Sequence, residues 1–281
     1  MPLIWRTRTR TYDLDAAAPL VMGILNVTPD SFSDGGEHNS LEAALAWAES
    51  MKGSADIVDV GGESTRPGFG ETAVTLEMEL ERVMPVVTEL SRRGVSVSVD
   101  TSKAAVMRAA AEAGAEILND IRGFEQPGAL ETAAESGCGL VIMDRTQLEP
   151  ETDAVDAVRR YLERRTEAFL KAGVDASRIC WDPGVGFGFG KTYEQNLDIW
   201  AAIERFADSG FPVMTAISRK SMIGLSTGIG DPKDRVDASV AGALLAASAG
   251  SHVLRVHDVR ATAEACTMLH VWRRTRTRLG L

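Results

Sequence analysis

Cysteine is scarce in this sequence, and aromatic residues are few. Three cysteines occur among the 281 residues, and Cys138, Cys180 and Cys266 lie too far apart to match a metal-binding spacing. Their odd number and dispersion exclude a small disulfide-stapled protein and predict buried, reduced thiols in a cytoplasmic protein. Aromatic residues make up 6% of the chain, whereas glycine is frequent, at 26 residues. This composition favours a fold with many tight turns and close approaches of the backbone to a ligand.

Long apolar segments and an excess of positive charge are also lacking. No apolar run reaches the ~18 residues that a membrane-spanning helix needs, and no apolar segment follows the basic N-terminal residues as it would in a signal peptide. The formal net charge is −10, from 30 Lys and Arg residues and 40 Asp and Glu residues. Such an acidic chain is a poor candidate for binding nucleic acid or an anionic membrane. An anionic substrate would therefore need positive charge that is gathered locally.

Short apolar segments alternate with helical patterns along the chain. The apolar segments are nearly continuous, as in parallel strands covered on both faces, and lie at 21–27, 56–62, 95–101, 116–121, 139–144, 178–184, 212–218 and 252–258. Helical patterns between them include 40–52, 74–93, 102–114, 153–173 and 237–250. This alternation predicts an α/β fold, a single-domain (β/α)8 TIM barrel, although an open doubly wound sheet alternates in the same way. No linker divides the chain, so 1–281 is predicted to be one domain with its core at about 20–271.

Local signals add three expectations about the helices and the two ends of the chain. Ser102 and Gly114 flank an alanine-rich run, which predicts a helix cap and a helix stop. Pro85 lies inside the second helical pattern and predicts a kink or a break there. The segments 5–11 and 272–278 are alike, and we interpret this as chance similarity of two basic segments.

Polar residues recur at the carboxyl ends of the predicted strands. They are Asn26, Asp59, Asp100, Asn119, Asp120, Asp182, Arg255 and His257. One aspartate after a strand is usually a turn former, but a polar residue after almost every strand predicts a shared cavity at the barrel mouth. Carboxylates and amides there suit a ligand rich in N–H donors, such as the edge of a guanidine-like heterocycle. Arg66, Lys220, Arg255 and His257 would supply positive charge for an anionic leaving group.

Two loops are polar and contain glycine, at 26–36 and 61–68. Their backbone N–H groups could bind phosphate, and Arg66 could add a bidentate contact. Neither loop contains the P-loop pattern of nucleotide-binding proteins. Taken alone, the loops are equally well explained as glycine-rich turns without a ligand.

Seven motifs together resemble the dihydropteroate synthase family of the folate pathway. They are MGILNVTPDSFSDGG (22–36), VDVGGESTRPG (58–68), SVDTSK (98–103), LNDIRG (118–123), WDPGVGFG (181–188), SRKSMIG (218–224) and RVHDV (255–259). The resemblance implies a (β/α)8 transferase that condenses 6-hydroxymethyl-7,8-dihydropterin pyrophosphate with p-aminobenzoate. The products are 7,8-dihydropteroate and pyrophosphate, and Mg²⁺ assists. It also implies a homodimer, whose interface helical faces in 237–278 could supply.

The resemblance also implies roles for individual residues. The expected pterin ligands are Asp100, Asn119, Met143, Asp182 and Lys220. The expected pyrophosphate ligands are Asn26, Thr65, Arg66, Arg255 and His257, with Asn26 also beside the metal. The p-aminobenzoate pocket is expected to include Thr65, Pro67, Phe187, Phe189 and Ser221.

The expected chemistry agrees with these residue types. Carbon–oxygen cleavage at the pterin methylene leaves a cation that Asp100 and Asp182 can stabilise electrostatically, and with Lys220 they are the predicted catalytic residues. The weak aniline nucleophile needs positioning more than deprotonation, so no general base is required. Asp59 and Asp120 are interpreted as supporting or turn residues.

Two segments depart from the family pattern. In 142–152, Met143 is retained, but Asp144 replaces a histidine and the following residues differ. In 182–191, DPGVGFGFGK is longer than the family run by one Phe-Gly unit, and the sequence does not identify which unit is extra. An added ring near the p-aminobenzoate pocket would clash with the bulky group that sulfonamides carry beyond the substrate outline. The insertion, which resembles one in the sulfonamide-resistant branch of the family, therefore predicts sulfonamide insensitivity.

Two alternative functions fit parts of the pattern. A non-catalytic paralogue would bind a pterin or a partner without turnover, but it should have lost residues from the phosphate loops. A methyltetrahydrofolate-dependent methyltransferase would share the pterin-facing carboxylate and amide. It would have no need of the loops NVTPDSFSDGG and GGESTRPG, which are intact in this chain.

Overall fold

The computed structural model describes residues 2–15, 18–28, 37–63, 74–186 and 190–281. Within those ranges the strands are β1 Ile4–Arg6, β2 Thr11–Asp13, β3 Leu20–Asn26, β4 Ile57–Gly61, β5 Val97–Asp100, β6 Ile117–Asp120, β7 Gly139–Met143, β8 Ile179–Asp182, β9 Met214–Thr215 and β10 Val253–Val256. The helices are α1 Glu37–Ser50, α2 Leu76–Arg92, α3 Ala104–Glu112, α4 Ala129–Glu135, α5 Ala154–Lys171, α6 Tyr193–Ala201, α7 Ile203–Ala207, α8 Ser221–Thr227, α9 Val236–Ser248 and α10 Val259–Leu279.

The strands from β3 to β10 form one parallel sheet that closes on itself. The strand order is β8-β7-β6-β5-β4-β3-β10-β9, so the first and last strands of the repeat are paired, with Leu20 opposite Val253. A bridge between Trp181 and Val213 closes the ring, and the Trp181 N–H donates to Pro212 O at 2.8 Å. This closure confirms the barrel and excludes the open doubly wound sheet. Each of the eight predicted strand segments overlaps one of these strands, and all but the first contain the whole strand.

Side chains of the barrel strands alternate between two apolar cores. Val21 and Leu25 of β3 point outward into the large core between the strands and the helices. Leu20 and Met22 point inward, where they pack with Ile57, Ile117, Val141, Cys180, Met214 and Val253. Because both faces of each strand are covered, the strands read as continuous apolar segments in the sequence.

The hairpin of β1 and β2 closes the end of the barrel at which the parallel strands begin. Trp5 is fully buried among residues from the starts of the barrel strands, and its Nε1 donates to Arg178 O at 3.0 Å. Thr7 Oγ1 adds a 2.6 Å hydrogen bond to Glu116 Oε2. Trp272, in the similar segment near the other end of the chain, is 55% exposed on α10. The two similar segments therefore have different environments.

The helix cap predicted at Ser102 was wrong, and the break that Pro85 could have caused does not occur. Helix α3 has Lys103 at its N-cap without a side-chain hydrogen bond, because the Ser102 hydroxyl donates instead to the buried carboxylate of Asp120. Helix α2 runs unbroken through Pro85, which lies on its exposed face while residues such as Val83 and Val87 pack on the opposite face. Burial of that apolar face outweighs the loss of one backbone donor. Gly114 does follow α3 and has a φ of +100°, as expected for a helix stop.

Candidate active site

The carboxyl ends of the barrel strands bring the predicted polar residues to one mouth. Asn26, Asp100, Met143 and Asp182 are the last residues of β3, β5, β7 and β8. Asn119 lies in β6, Arg255 in β10 and His257 just beyond it, while Lys220 and Ser221 follow β9. Parallel strands in a closed barrel all end on the same side, so these residues share one surface of the molecule.

Arg255 lies at the centre of a buried charge network. Its Nε donates to Asp59 Oδ2 at 2.6 Å and its Nη2 to Asp100 Oδ2 at 2.7 Å. Asn119 Nδ2 donates to the same Asp59 oxygen at 3.2 Å. Burial alone would lower the pKa of Arg255, but the two carboxylates outweigh it and raise that pKa above its ordinary value. Burial raises the pKa of Asp100, and the nearby positive charge of Arg255 opposes this only in part.

Asp182 and Lys220 form a second charged pair at the mouth. Asp182 is 3% exposed, and its Oδ1 accepts a 2.8 Å hydrogen bond from the Gly184 N–H. Burial raises the pKa of this carboxyl, whereas the positive charge of Lys220 lowers it. Lys220 Nζ donates to Val185 O at 2.8 Å. Burial lowers the pKa of Lys220 to about 8, and the charge of Asp182 opposes that change.

The loops after β9 and β10 are held together as one unit. Arg219 has a φ of +61°, a left-handed conformation that costs free energy for a residue with a Cβ. Its guanidinium donates through Nε to Asp258 Oδ2 at 3.0 Å, and its backbone N–H donates to Ser239 Oγ at 2.9 Å. The backbone N–H and Nδ1 of His257 each lie 3.2 Å from Ser218 Oγ. These contacts fix the backbone immediately before Lys220.

Comparison with known proteins shows the family to which this chain belongs. Residues 22–257 match the family of pterin binding enzymes. Dihydropteroate synthase of Escherichia coli (strain K12) is 48% identical over 261 residues, which cover 90% of this chain and 91% of that protein. The chain belongs to the dihydropteroate synthase family.

Solved structures of dihydropteroate synthases have the same architecture. Xanthomonas albilineans dihydropteroate synthase with 4-aminobenzoic acid superposes with a TM-score of 0.90 at 44% identity, covering 97% of this chain and 99% of that one. The same enzyme in complex with 7,8-dihydropteroate gives a TM-score of 0.86 at 43% identity, covering 94% and 97%. The resemblance seen in the motifs is thus confirmed over nearly the whole chain, and the protein is a transferase of the dihydropteroate synthase type.

Several predicted dihydropteroate synthase residues are not described by the structure. Thr65, Arg66, Pro67, Phe187 and Phe189 lie outside the described residues. The described members of the predicted site are Asn26, Asp100, Asn119, Met143, Asp182, Lys220, Ser221, Arg255 and His257. Met143 is buried and Ser221 is exposed at the start of α8.

The two aspartates interpreted as supporting residues do support the site. Asp59 is fully buried beneath the mouth and holds Arg255 and Asn119. Asp120 accepts the backbone N–H groups of Arg122 and Phe124 at 2.8 and 2.7 Å, as a turn former does. Both carboxylates therefore accept hydrogen bonds from groups of the protein itself, as expected for supporting or turn residues.

Sequence reasoning missed the residues that hold the loops of the dihydropteroate synthase mouth in place. Arg219 and Asp258 lie in the motifs at 218–224 and 255–259, but no role was predicted for them. Their opposite charges, in motifs that follow adjacent strands, could have indicated an ion pair. Lys191 also received no role. Its Nζ lies 2.7 Å from Asp144 Oδ2, the carboxylate that stands where the family pattern has histidine.

Proposed function

We propose that the barrel mouth condenses 6-hydroxymethyl-7,8-dihydropterin pyrophosphate with p-aminobenzoate to give 7,8-dihydropteroate and pyrophosphate. The observation that carries the assignment of roles is the pair of carboxylates, the partly buried Asp100 and the buried Asp182, in one mouth with the cations Arg255 and Lys220. Asp182 and Asn119 provide acceptors for the ring N–H donors of a pterin. Lys220 provides a donor for the acceptor atoms of that ring, and the buried side chain of Met143 provides an apolar surface.

The bond that breaks joins the pterin methylene carbon to a pyrophosphate oxygen, and the bond that forms joins this carbon to the aniline nitrogen. Asp100 and Asp182 stabilise the positive charge that develops on the pterin, because carboxylates fixed in the mouth act there with little reorganisation of water. Arg255 and His257, with Thr65 and Arg66, bind the departing pyrophosphate. The aniline proton leaves to solvent once the new bond has formed.

Mg²⁺ is proposed as the cofactor, held by Asn26 together with the pyrophosphate. The amide oxygen of Asn26 is a hard ligand of the kind that Mg²⁺ prefers, and it lies at the mouth beside Asp100 and Gly61. Among the described residues no group of three or more His, Cys, Asp or Glu side chains could hold a metal ion. A site with Asn26 as its protein ligand suits Mg²⁺ that is already coordinated by the phosphate oxygens of the substrate. The bound ion would neutralise charge on the leaving group.

The p-aminobenzoate subsite is proposed at Ser221, Thr65, Pro67, Phe187 and Phe189, of which the structure describes Ser221. Sulfonamide insensitivity is proposed to accompany it. The support is the extra Phe-Gly unit in 182–191, since a bulkier wall can exclude a larger mimic and admit the smaller substrate.

A homodimer is proposed to form through α9 and α10. These neighbouring helices expose large apolar side chains at Leu245, Met268, Val271 and Trp272, and Trp272 is 55% exposed. Several large apolar side chains exposed on neighbouring helices are typical of an interface. A cytoplasmic location is proposed from the three buried cysteines, all of which are free thiols. In the part of the chain that the structure describes, no helix is long and apolar enough to cross a membrane.

The test is an assay of pyrophosphate release with the purified protein. Release is expected only when the pterin pyrophosphate and p-aminobenzoate are both present, with 7,8-dihydropteroate formed in equal amount. Release without p-aminobenzoate would indicate a hydrolase. Pterin binding without any turnover would favour the non-catalytic paralogue, and methyl transfer from methyltetrahydrofolate would favour the methyltransferase.

A further inference from the structure

Asp144 and Lys191 form a buried ion pair beside the mouth. The side chains are 0% and 1% exposed, and Lys191 Nζ lies 2.7 Å from Asp144 Oδ2. Among the ion pairs of the described residues, this is the one in which both side chains are almost completely buried. Thr146 Oγ1 donates to the other carboxylate oxygen at 2.6 Å. A buried pair of charges is retained only when each charge has its partner, because either one alone would be buried without compensation.

The ion pair joins the loop after β7 to the loop after β8. Leu148 N donates to Gly190 O at 2.7 Å between the same two loops. Gly184 and Gly190 have φ values of +71° and +67°. A Cβ at Gly184 would lie 2.4 Å from Asp144 O, and one at Gly190 would lie 2.6 Å from Gln147 Cα. The two glycines therefore permit a contact between backbones that other residues would prevent.

The second loop in turn fixes the two charged groups of the mouth. Its Gly184 N–H donates to Asp182 Oδ1, and its Val185 carbonyl accepts from Lys220 Nζ, both at 2.8 Å. A Cβ at Gly186 would lie 2.9 Å from Lys220 Cδ, so this backbone also packs on the stem of the lysine. Strand β8 holds one end of the loop, where Asp144 N also donates to Asp182 O at 3.1 Å. Lys191 holds the other end through Asp144.

We propose that Asp144 and Lys191 are positioning residues, which set the geometry of Asp182 and Lys220 by tying the loop after β8 to the loop after β7. The proposal rests on the proposed function of the mouth and extends it to two residues outside the expected ligand set. It also accounts for Asp144 in this chain, because a carboxylate matches the buried ammonium of Lys191 in charge.

The decisive variant is the double substitution Asp144→Asn with Lys191→Met. Asparagine keeps an acceptor for Thr146, methionine fills the volume of the lysine stem, and no charge is left buried alone. We expect kcat to fall about tenfold or more, since a displacement of about 1 Å in a positioned group can cost about a hundredfold. We also expect amide hydrogen exchange at Gly184, Val185 and Gly186 to become at least about tenfold faster, because the loop loses its charged anchor and, among the described residues, keeps only the hydrogen bonds of Leu148 and Asn196 at its far end.

A pH profile is a second readout beside hydrogen exchange. Water that reaches Lys220 when the loop loosens raises its pKa from about 8, and loss of the Lys191 charge raises it as well, because that charge lowers the pKa of Lys220 in the wild type. The alkaline limb of kcat/KM is therefore expected to move to higher pH in the double variant. Lys191→Arg, which keeps the charge, is expected to retain most of the wild-type exchange protection. Lys171→Met, which breaks the exposed pair between Lys171 and Glu167, is the matched control and should change none of these measurements.

The outcomes are distinguishable from failure of the proposed function. Hydrogen exchange does not require turnover, so a wild-type protein without synthase activity would contradict the proposed function while the exchange data still test the ion pair. The proposal would be overturned if the double variant kept the wild-type rate of amide hydrogen exchange at Gly184–Gly186 and the wild-type alkaline limb of kcat/KM. A lower melting temperature of that variant would not change this conclusion.

Discussion

Lys220 has a reduced proton affinity because the barrel mouth removes its ammonium group from water. Its Nζ donates to the backbone carbonyl of Val185, and the charge of Asp182 offsets part of the effect of burial. The same burial raises the pKa of Asp182. At this mouth, burial moves the pKa values of the carboxyl and the ammonium towards each other, and both groups come closer to titration near neutral pH.

Replacement of Asp182 tests the pterin assignment at the scale of one residue. Asp182→Asn keeps the shape of the side chain but removes the charge that pairs with the ring N–H donors. We expect kcat/KM for the pterin substrate to fall roughly 30- to 1,000-fold, which corresponds to a loss of about 2–4 kcal/mol of transition-state stabilisation. The melting temperature should change little. Steady-state kinetics and a thermal melt measure both quantities. Kinetics close to the wild type would contradict the assignment.

The pH dependence of kcat/KM tests Lys220. Below a pH of about 8 the side chain is protonated and can donate to the pterin, and above its pKa of about 8 it loses this proton. We therefore expect kcat/KM to fall with rising pH above about 8, by about tenfold per pH unit. Lys220→Arg should lose this limb because the guanidinium stays charged. A wild-type profile that remains flat up to pH 10 would show that the charge of Lys220 is not needed.

Strand-end residues could be predicted from the sequence, whereas the residues that lock the loops could not. Asp100, Asp182 and Arg255 each occupy the end of an apolar segment, and the topology of a barrel then determines where they meet. Lys191 is different, because its partner Asp144 lies on another loop and both became buried only when the loops packed together. No local pattern indicates such a pair.

At the scale of elements, the barrel strands were predictable because burial on both faces leaves a long apolar signal. The hairpin of β1 and β2 gave no such signal, since strands of three residues are too short to show a period. Ser102 was assigned to the wrong role for a related reason. Its local context favoured a helix cap, but a buried carboxylate from the neighbouring strand β6 bound the hydroxyl instead.

The loop after β8 provides the test at this scale. Deletion of one Phe-Gly unit gives the same sequence whether 187–188 or 189–190 is removed. We expect the shortened loop to strengthen inhibition by sulfamethoxazole roughly a hundredfold, which corresponds to relief of a clash of about 3 kcal/mol. KM for p-aminobenzoate, measured in parallel, should change much less. If the intact enzyme is inhibited as strongly as the deletion variant, the insertion does not discriminate against the drug.

At the scale of the whole molecule, positive charge is concentrated where it is needed. The chain carries a net charge of −10, yet Arg255 and Lys220 are both held at the mouth by backbone and carboxylate partners. The opposite end of the barrel is closed by Trp5, which is fully buried. The anionic part of a substrate would therefore meet Arg255 and Lys220 at the open end of the barrel, where carboxylates already offset much of their charge.

The oligomeric state tests the apolar surface of α9 and α10. Trp272→Glu places a charge in the proposed interface, so we expect the variant to elute with the mass of one chain where the wild type has the mass of two. Light scattering after size exclusion measures this mass. Leu170→Glu is the control, because Leu170 is also an exposed apolar residue but lies on α5. Wild-type protein with the mass of one chain, or dissociation by both substitutions, would contradict the proposed interface.

The pairing of β3 with β10 has a consequence for biosynthesis. Strand β3 leaves the ribosome early, but its neighbour Val253–Val256 is translated more than two hundred residues later. At about 5–20 residues per second, one edge of the growing half-barrel stays unpaired for tens of seconds. That edge is apolar on both faces, so a nascent chain stalled before β10 would be prone to aggregate or to occupy a chaperone. Translation that is interrupted shortly before residue 253 should therefore be unusually damaging to the yield of this protein.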